Sequence, residues 1–281
     1  HAMEYIDAHS HVWTPDIKKY PLAPGYQVSD MQPPSFTAEE LQAQMMTVGV
    51  NRVVLIQMSF YGFDNSYMLD CMAKYPGMYS GVAVIDQNGD NPTPEMLALK
   101  AKGVRGFRIA PKTKKVDEWL DGACMEQMWK TGAKEGMAMC CLMNPDGLPA
   151  LDKMCQKHRD TTVVIDHLAR IGVTGEIDPN EVDQLCKMAK HPNVYVKVSA
   201  FYALGKKKMP YHDLLPLIKK VYQAFGANRL MWATDCPYQV QGDHSYQASI
   251  GLIKNGLPFL SADDKDWILE KTAEKVFFQG I

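Results

Sequence analysis

The chain has 281 residues, 46% of them apolar and 22% charged, with a formal net charge of −2. This is enough material for a large buried core. The absence of a basic stripe argues against nucleic acid as a partner, and no apolar run approaches the roughly 20 residues that span a bilayer.

Short β-branched apolar runs alternate with longer amphipathic segments. The first predicted strand is Tyr5 to Ala8, running on toward His9-Ser10-His11. A long Pro-rich loop follows, holding Trp13, Pro15, Pro21, Pro24, Pro33 and Pro34. Thr37 precedes Glu39 and Glu40, a normal helix start, and the periodic run continues to Val48. Further strands are predicted at Arg52–Gln57, Met78–Ile85, Val104–Ile109, Gly136–Leu142, Thr161–Ile165, Val194–Val198 and Arg229–Ala233. Helices are predicted at Asp64–Lys74, Pro94–Lys102, within Val116–Ala133, and at Leu148–His158 and Pro179–Lys190. The remaining ones are Tyr211–Phe225, despite Pro216, Ser245–Asn255 and Ala262–Phe278.

Eight strands, each followed by a helix, are the pattern of an α/β chain with a parallel sheet. Runs such as Val53-Val54-Leu55-Ile56 are apolar on consecutive positions, which implies burial on both faces. The economical solution is one (β/α)8 TIM barrel over residues 3–281. A doubly wound open sheet is the alternative, but no Gly-x-Gly-x-x-Gly or phosphate-loop motif supports it. His1-Ala2 before Met3 reads as a cloning scar, and no secretory signal opens the chain. The seven cysteines are odd in number and form no Cys-x-x-Cys pair. They read as reduced core thiols, and a cytoplasmic location is expected.

In such a barrel the chemistry gathers at the C-terminal strand ends. His9 and His11 lie there on strand one, and residues two apart share a strand face. Arg105 and Arg108 flank strand four, and Asp166-His167 ends strand six with Arg170 behind it. Lys197 and Ser199 lie on strand seven before Tyr202, and Thr234-Asp235 ends strand eight. His9, His11, His167 and Asp235 form a donor set suited to one divalent ion, zinc first and manganese second. A metal-free site of the same residues is the competing reading, with His and Asp deprotonating water and Arg polarising a carbonyl. Arg105 and Arg108 are three apart and face opposite ways, and Arg108 is the pocket candidate for a substrate oxyanion. Arg170 reads equally as a substrate contact or a loop tie. Lys197, inside an apolar run, requires a partner or a cavity, either a salt bridge inside the barrel or an amine in contact with substrate. Trp13, Tyr202 and His244 are further substrate-contact candidates, with core packing the alternative for the aromatic rings.

Ile6-Asp7-Ala8-His9-Ser10-His11-Val12-Trp13, Gly106-Phe107-Arg108, Ile165-Asp166-His167-Leu168, Asn193 to Ser199 and Arg229 to Pro237 together resemble the amidohydrolase superfamily. The similarity is to its amidohydrolase-2 branch, which holds sugar-acid lactonases and pyrone-dicarboxylate lactonase, and it covers nearly the whole chain. The resemblance implies a distorted TIM barrel and a centre built on His9, His11, His167 and Asp235. Some members hold one divalent ion there, whereas pyrone-dicarboxylate lactonase works without one and binds substrate carboxylates through arginines. Lys197 stands on strand seven where decarboxylases of the group would favour a further histidine, so the lactonase branch is expected. Cys236 replaces the usual tryptophan, and the strand-five end, Cys140-Cys141 with Asn144, offers no bridge for a second ion.

The expected reaction is hydrolysis of a small, carboxylated or sugar-acid lactone, with Asp235 activating water and His167 and Arg108 assisting. The rivals are a non-oxidative decarboxylase of an aromatic or unsaturated acid, a lactone isomerase and a non-catalytic binding protein. The expected partner is a small molecule, and a homo-oligomer is compatible with the sequence.

Overall fold

Eight parallel strands, joined in strict chain order, form the sheet of the computed structural model, which describes residues 4–281. They are β1 (Tyr5–Ser10), β2 (Val50–Ile56), β3 (Tyr79–Ala83), β4 (Val104–Ile109), β5 (Ala138–Cys141), β6 (Val163–Ile165), β7 (Val194–Ser199) and β8 (Leu230–Ala233). The helices between them are α1 (Ala38–Met45), α2 (Ser66–Lys74), α3 (Thr93–Ala101), α4 (Ala123–Glu135), α5 (Leu148–Lys157), α6 (Pro179–Lys187) and α7 (Leu215–Phe225). After β8 come α8 (Tyr246–Asn255), α9 (Ala262–Asp266) and α10 (Thr272–Phe277). The fold is an α/β TIM barrel, nearly closed and distorted, as expected. The cloning-scar reading of His1-Ala2 lies outside the described residues.

Most elements fall where the hydrophobic pattern places them, and the differences have local causes. The fourth helix starts at Ala123, inside the expected stretch and just after Gly122 at φ 116°, and runs two residues past Ala133 to Glu135. Pro216 does not interrupt α7, since it lies in the first turn, where its missing N–H has no intrahelical partner to lose. The last predicted helix is divided by a π turn at Trp267–Lys271.

Alternate strand residues, among them Ile6, Val54, Val82, Val164 and Met231, fill the barrel, and Phe277 of α10 plugs its lower end. Gly106 on β4 makes room for that plug, because a Cβ there would lie 3.4 Å from the Phe277 ring and 3.1 Å from Ala138 O. All seven cysteines are free. No helix among the described residues is long and apolar enough to cross a membrane.

Two irregularities shape the upper end. First, Asp7 pairs with Val53 and Ser10 with Leu55, so β1 advances one residue more than β2. This bulge re-aims the side chains that follow it. Second, β1 and β8 do not form a full ladder. They meet through one parallel bridge, Ser10 to Cys236, flanked by His11 N–H to Cys236 O at 2.8 Å and Asp235 N–H to His9 O at 2.9 Å.

Asp7 fastens this seam. Its Oδ1 accepts from the Thr234 N–H at 2.9 Å and the His9 N–H at 3.1 Å. Its Oδ2 accepts from the hydroxyls of Thr234 at 2.6 Å, Tyr246 at 2.7 Å and Ser10 at 3.0 Å. Burial raises the Asp7 carboxyl above its ordinary value, and the bonds from Thr234, Tyr246 and His9 oppose that shift.

Candidate active site

The seam carries the histidine pair and the strand-eight carboxylate into the barrel mouth together. The strand assignment ends at Ser10, but the His11 backbone bond to Cys236 continues the extended path. The His9 and His11 rings lie 5.1 Å apart, edge to face. Asp235 follows β8 with a left-handed φ of 68°, which turns its carboxylate toward them. Asp235 Oδ1 lies 3.2 Å from His11 Nε2 and 3.4 Å from His9 Nε2.

His167 enters from β6 by an unusual route. His167, Leu168, Ala169 and Arg170 all have positive φ, from 53° to 60°. Non-glycine residues adopt this region at a cost, which the surrounding packing must offset. The result places His167 Nε2 3.9 Å from Asp235 Oδ2 and its ring centroid 4.5 Å from that of His9. Four side chains that the sequence distributes over three strand ends therefore converge.

The hydrogen bonds fix which ring nitrogens are free. His11 Nδ1 donates to Ile56 O at 3.0 Å. His167 Nδ1 donates at 2.7 Å to the Ser199 hydroxyl, which itself donates to Lys197 O. In a neutral imidazole, a proton on Nδ1 leaves Nε2 as a lone pair. Two lone pairs thus face the Asp235 carboxylate, acceptor against acceptor, in a buried setting. Such an arrangement needs a cation or a shared proton between the partners. His9, His11 and Asp235 present ligand atoms within 4.8 Å of one another, and so do His9, Asp166 and His167. Both sets suit a divalent ion.

Asp166 belongs to the second set and is 1% exposed. Lys197 Nζ lies 3.2 Å and Arg108 Nη2 3.5 Å from its two oxygens. Neither oxygen receives a well-directed hydrogen bond, a further sign of room for a cation. Burial acts to raise the Asp166 carboxyl, but Lys197 and Arg108 prevail and hold it low. Burial likewise opposes ionisation of Asp235, yet His167, His11 and Tyr202 bring it down to about 2. Burial drives His167 down to about 4 against the pull of Asp235 and Asp166. His9 is driven well below its ordinary value by burial, with Lys197 adding to the effect. At neutral pH the centre therefore combines ionised carboxylates at Asp166 and Asp235 with neutral imidazoles at His9 and His167, the protonation state that metal ligands require.

The expected substrate contacts divide into two groups. Arg108 lies in the mouth, 3.5 Å from His9 Nε2, and its buried Nε–H has no partner. Arg105 faces the other way and ties the backbone carbonyls of Gln279, Lys100 and Val104. The Tyr202 hydroxyl donates to Asp235 Oδ2 at 2.5 Å. Arg170 Nε donates to Asn144 Oδ1 at 2.9 Å, beside the mouth.

Three residues are placed otherwise than expected of substrate contacts. Trp13 is fully buried, with its indole N–H bound to Pro33 O at 2.8 Å and its ring against Phe60, so it anchors the Pro-rich segment. Lys197 is also fully buried, between Asp166 and His9, because a charged group inside a strand requires an ionic partner. His244 is stacked on Tyr211 and accepts a hydrogen bond from its hydroxyl at 2.6 Å, one residue removed from Asp235 through Tyr202.

Sequence reasoning gave no role to Asp7, Asp166 or Tyr238, whose ring lies 6.3 Å from those of both His11 and Tyr202. Asp7 had a usable signal, a carboxylate inside an apolar run. Tyr238 had none, because only the turn after β8 brings it over the site.

Comparison with known proteins agrees with this geometry. The amidohydrolase family model matches residues 6–279. A 2-pyrone-4,6-dicarboxylate hydrolase of Comamonas testosteroni is 29% identical over 265 residues, covering 91% of this chain and 83% of its own. An L-fucono-1,5-lactonase of Burkholderia ambifaria is 26% identical over 243 residues, covering 85% of this chain and 82% of its own. Among solved structures, an amidohydrolase of Burkholderia multivorans with bound zinc superposes with a TM-score of 0.80, at 19% identity over 98% of this chain and 99% of its own. The barrel, the candidate metal centre at its mouth and a match over nearly the full length lead to one assignment: the chain is a hydrolase of the amidohydrolase family.

Proposed function

We propose that the protein hydrolyses a small lactone that bears a carboxylate, at a mononuclear centre formed by His9, His11, His167 and Asp235, with zinc as the ion. The observation that carries the reading is the buried opposition of the His11 Nε2 lone pair and the Asp235 carboxylate at 3.2 Å, with the Arg108 guanidinium behind it. A divalent ion at such a set would supply Lewis acidity toward a carbonyl and toward water.

The residues divide the remaining work. Asp235 is ionised and accepts the proton of the attacking water. Tyr202 holds the second carboxylate oxygen and so orients the first. Arg108, with an unpartnered Nε–H, binds the substrate carboxylate or the developing oxyanion. Proton return from Asp235 to the leaving alkoxide completes ring opening. The names of the lactonase and hydrolase relatives support this chemistry, and the zinc-bound Burkholderia multivorans structure supports the choice of ion.

The test is elemental analysis of the purified protein combined with a lactone screen on the same sample. The reading expects about one zinc per chain and ring opening abolished by chelation. Carbon dioxide release from aromatic or unsaturated acids, without lactone turnover, would establish the decarboxylase instead. Rearrangement of one lactone into another without net hydrolysis would establish the isomerase.

A further inference from the structure

A cavity of about 730 Å³ opens outward from Arg108 beneath the segment that follows β1. This volume is within the range of ligand-binding sites and exceeds what a single small lactone ring fills. Its wall is formed mainly by Leu22, Pro24, Tyr26, Phe63, Val84 and Leu142. Phe63 is 51% and Tyr26 39% exposed, so two aromatic rings stand in water at its rim. A ligand that covers them gains apolar burial.

Part of the polar equipment of these walls is already engaged. The Gln57 amide donates to Gly62 O at 3.0 Å and Asp64 O at 2.8 Å. The Tyr61 hydroxyl accepts from the Thr14 N–H at 3.1 Å, and Asp64 Oδ1 accepts from the Ser66 N–H at 3.0 Å. A polyhydroxylated arm would lose water at each hydroxyl and find no partner along Leu22, Pro24, Phe63, Val84 and Leu142, only where Gln57, Tyr61 or Asp64 is within reach, which is unfavourable for every unmade bond. A hydrocarbon or aryl arm has no such requirement. Both cationic groups of the lining lie at its ends, with Arg108 at the centre and the Lys112 ammonium 5.5 Å from the Phe63 ring at the rim, and Asp64 adds one carboxylate.

The roof is built in place. The Ala23 N–H donates to Phe60 O at 2.8 Å. Gly62 beneath it has φ 56° and ψ −125°, and a Cβ there would lie 3.0 Å from the Ala23 Cβ. A glycine is required at this contact.

We propose that the substrate carries an apolar or aryl arm, seated in the cavity between the 21–26 segment and the Phe63 loop, with its anionic group on Arg108. The assignment of the reacting ring rests on the lactonase reading above, whereas the arm rests on the cavity alone.

The experiment uses two carboxylated lactones with the same ring, one bearing a phenyl arm and the other a polyol arm, together with their unreactive lactams. Kd for the lactams is measured by calorimetry and kcat/KM for the lactones by ring opening. The phenyl lactam is expected to bind about tenfold or more tightly than the polyol lactam. In the Leu22→Ser/Phe63→Ser variant that ratio should fall toward one. Arm-dependent binding without turnover of either lactone supports the arm while removing the hydrolase reading. Equal binding of the two lactams, tighter binding of the polyol, or no binding of either overturns the arm.

Discussion

Lys197 Nζ lies 2.9 Å from His9 Nδ1, on the ring nitrogen opposite the one that faces Asp235. An ammonium has only protons to give, so Nδ1 accepts at 2.9 Å; the longer 3.5 Å approach of the Arg108 guanidinium to Nε2 yields to it, and the proton of neutral His9 is carried on Nε2, toward Asp235. His11 and His167 have the reverse arrangement. Metal capture at His9 must displace that proton against a nearby positive charge. We therefore expect Lys197→Met to bind zinc at least about tenfold more tightly, by competition with a chromophoric chelator. The variant loses the ionic partner of Asp166, so it should also unfold at a lower temperature. Unchanged or weaker zinc affinity would refute the proton placement.

Asp235→Asn tests the assignment of the general base. Asparagine tolerates the left-handed backbone that Asp235 adopts, so the fold should persist. Turnover should fall by about 100- to 10,000-fold with a small change in thermal midpoint. A variant that retains most of its kcat would remove Asp235 from the mechanism.

Arg108→Lys should raise KM for carboxylated substrates by about 10- to 100-fold, because a charge-assisted pair is lost and a point charge does not reproduce the guanidinium fork. Substrates without the carboxylate should show a much smaller change. Equal effects on both classes would assign Arg108 to holding Asp166 alone.

The metal-stripped protein should lose stability in two acid steps. His167 is held at about 4 against an ordinary 6.5, so between these values the unfolded chain binds a proton that the folded chain refuses. Stability is therefore complete above about pH 6.5 and falls by about 3 kcal/mol as the pH drops toward 4. Asp235 is held at about 2 against 3.8, so its contribution is present above 3.8 and is lost as the pH falls toward 2. Urea titrations across this range should show both steps, and His167→Asn should shrink the upper one, leaving the part that the buried, neutral His9 contributes. An upper step of undiminished size in the variant would remove His167 from its origin.

Tyr246→Phe removes one of the five donors to Asp7 at the β1–β8 seam. Removing one donor from a buried carboxyl costs about 1–3 kcal/mol, and the denaturant midpoint should fall accordingly. An unshifted midpoint would show that the seam is held by its backbone bonds.

The barrel was legible because its strands are buried on both faces and read as continuous apolar runs, with Val53 to Ile56 the clearest. His9, His11, His167 and Asp235 were legible because polar residues recurred at the same end of successive strands. The partners of Lys197 and Asp7 were not, since they come from strands far away in the sequence and no local period encodes them. The left-handed run from His167 to Arg170 was equally hidden, because none of its residues is a glycine or asparagine that would advertise such a backbone. Trp13 stayed open between substrate contact and packing for a simple reason: an aromatic residue beside a histidine pair has the same sequence whether it faces the substrate or the loop behind it.

The seam between β1 and β8 also sets when the centre can come into existence. His9 lies on the first strand of the barrel and Asp235 just past the last, and the two meet only after every intervening βα unit has been synthesised. Ribosome-bound chains that stop before β8 hold the histidine pair without its carboxylate. Pairing elements so distant along the chain is among the slowest events in folding. The centre is thus a late product of assembly, and acquisition of the ion reports that the barrel has closed.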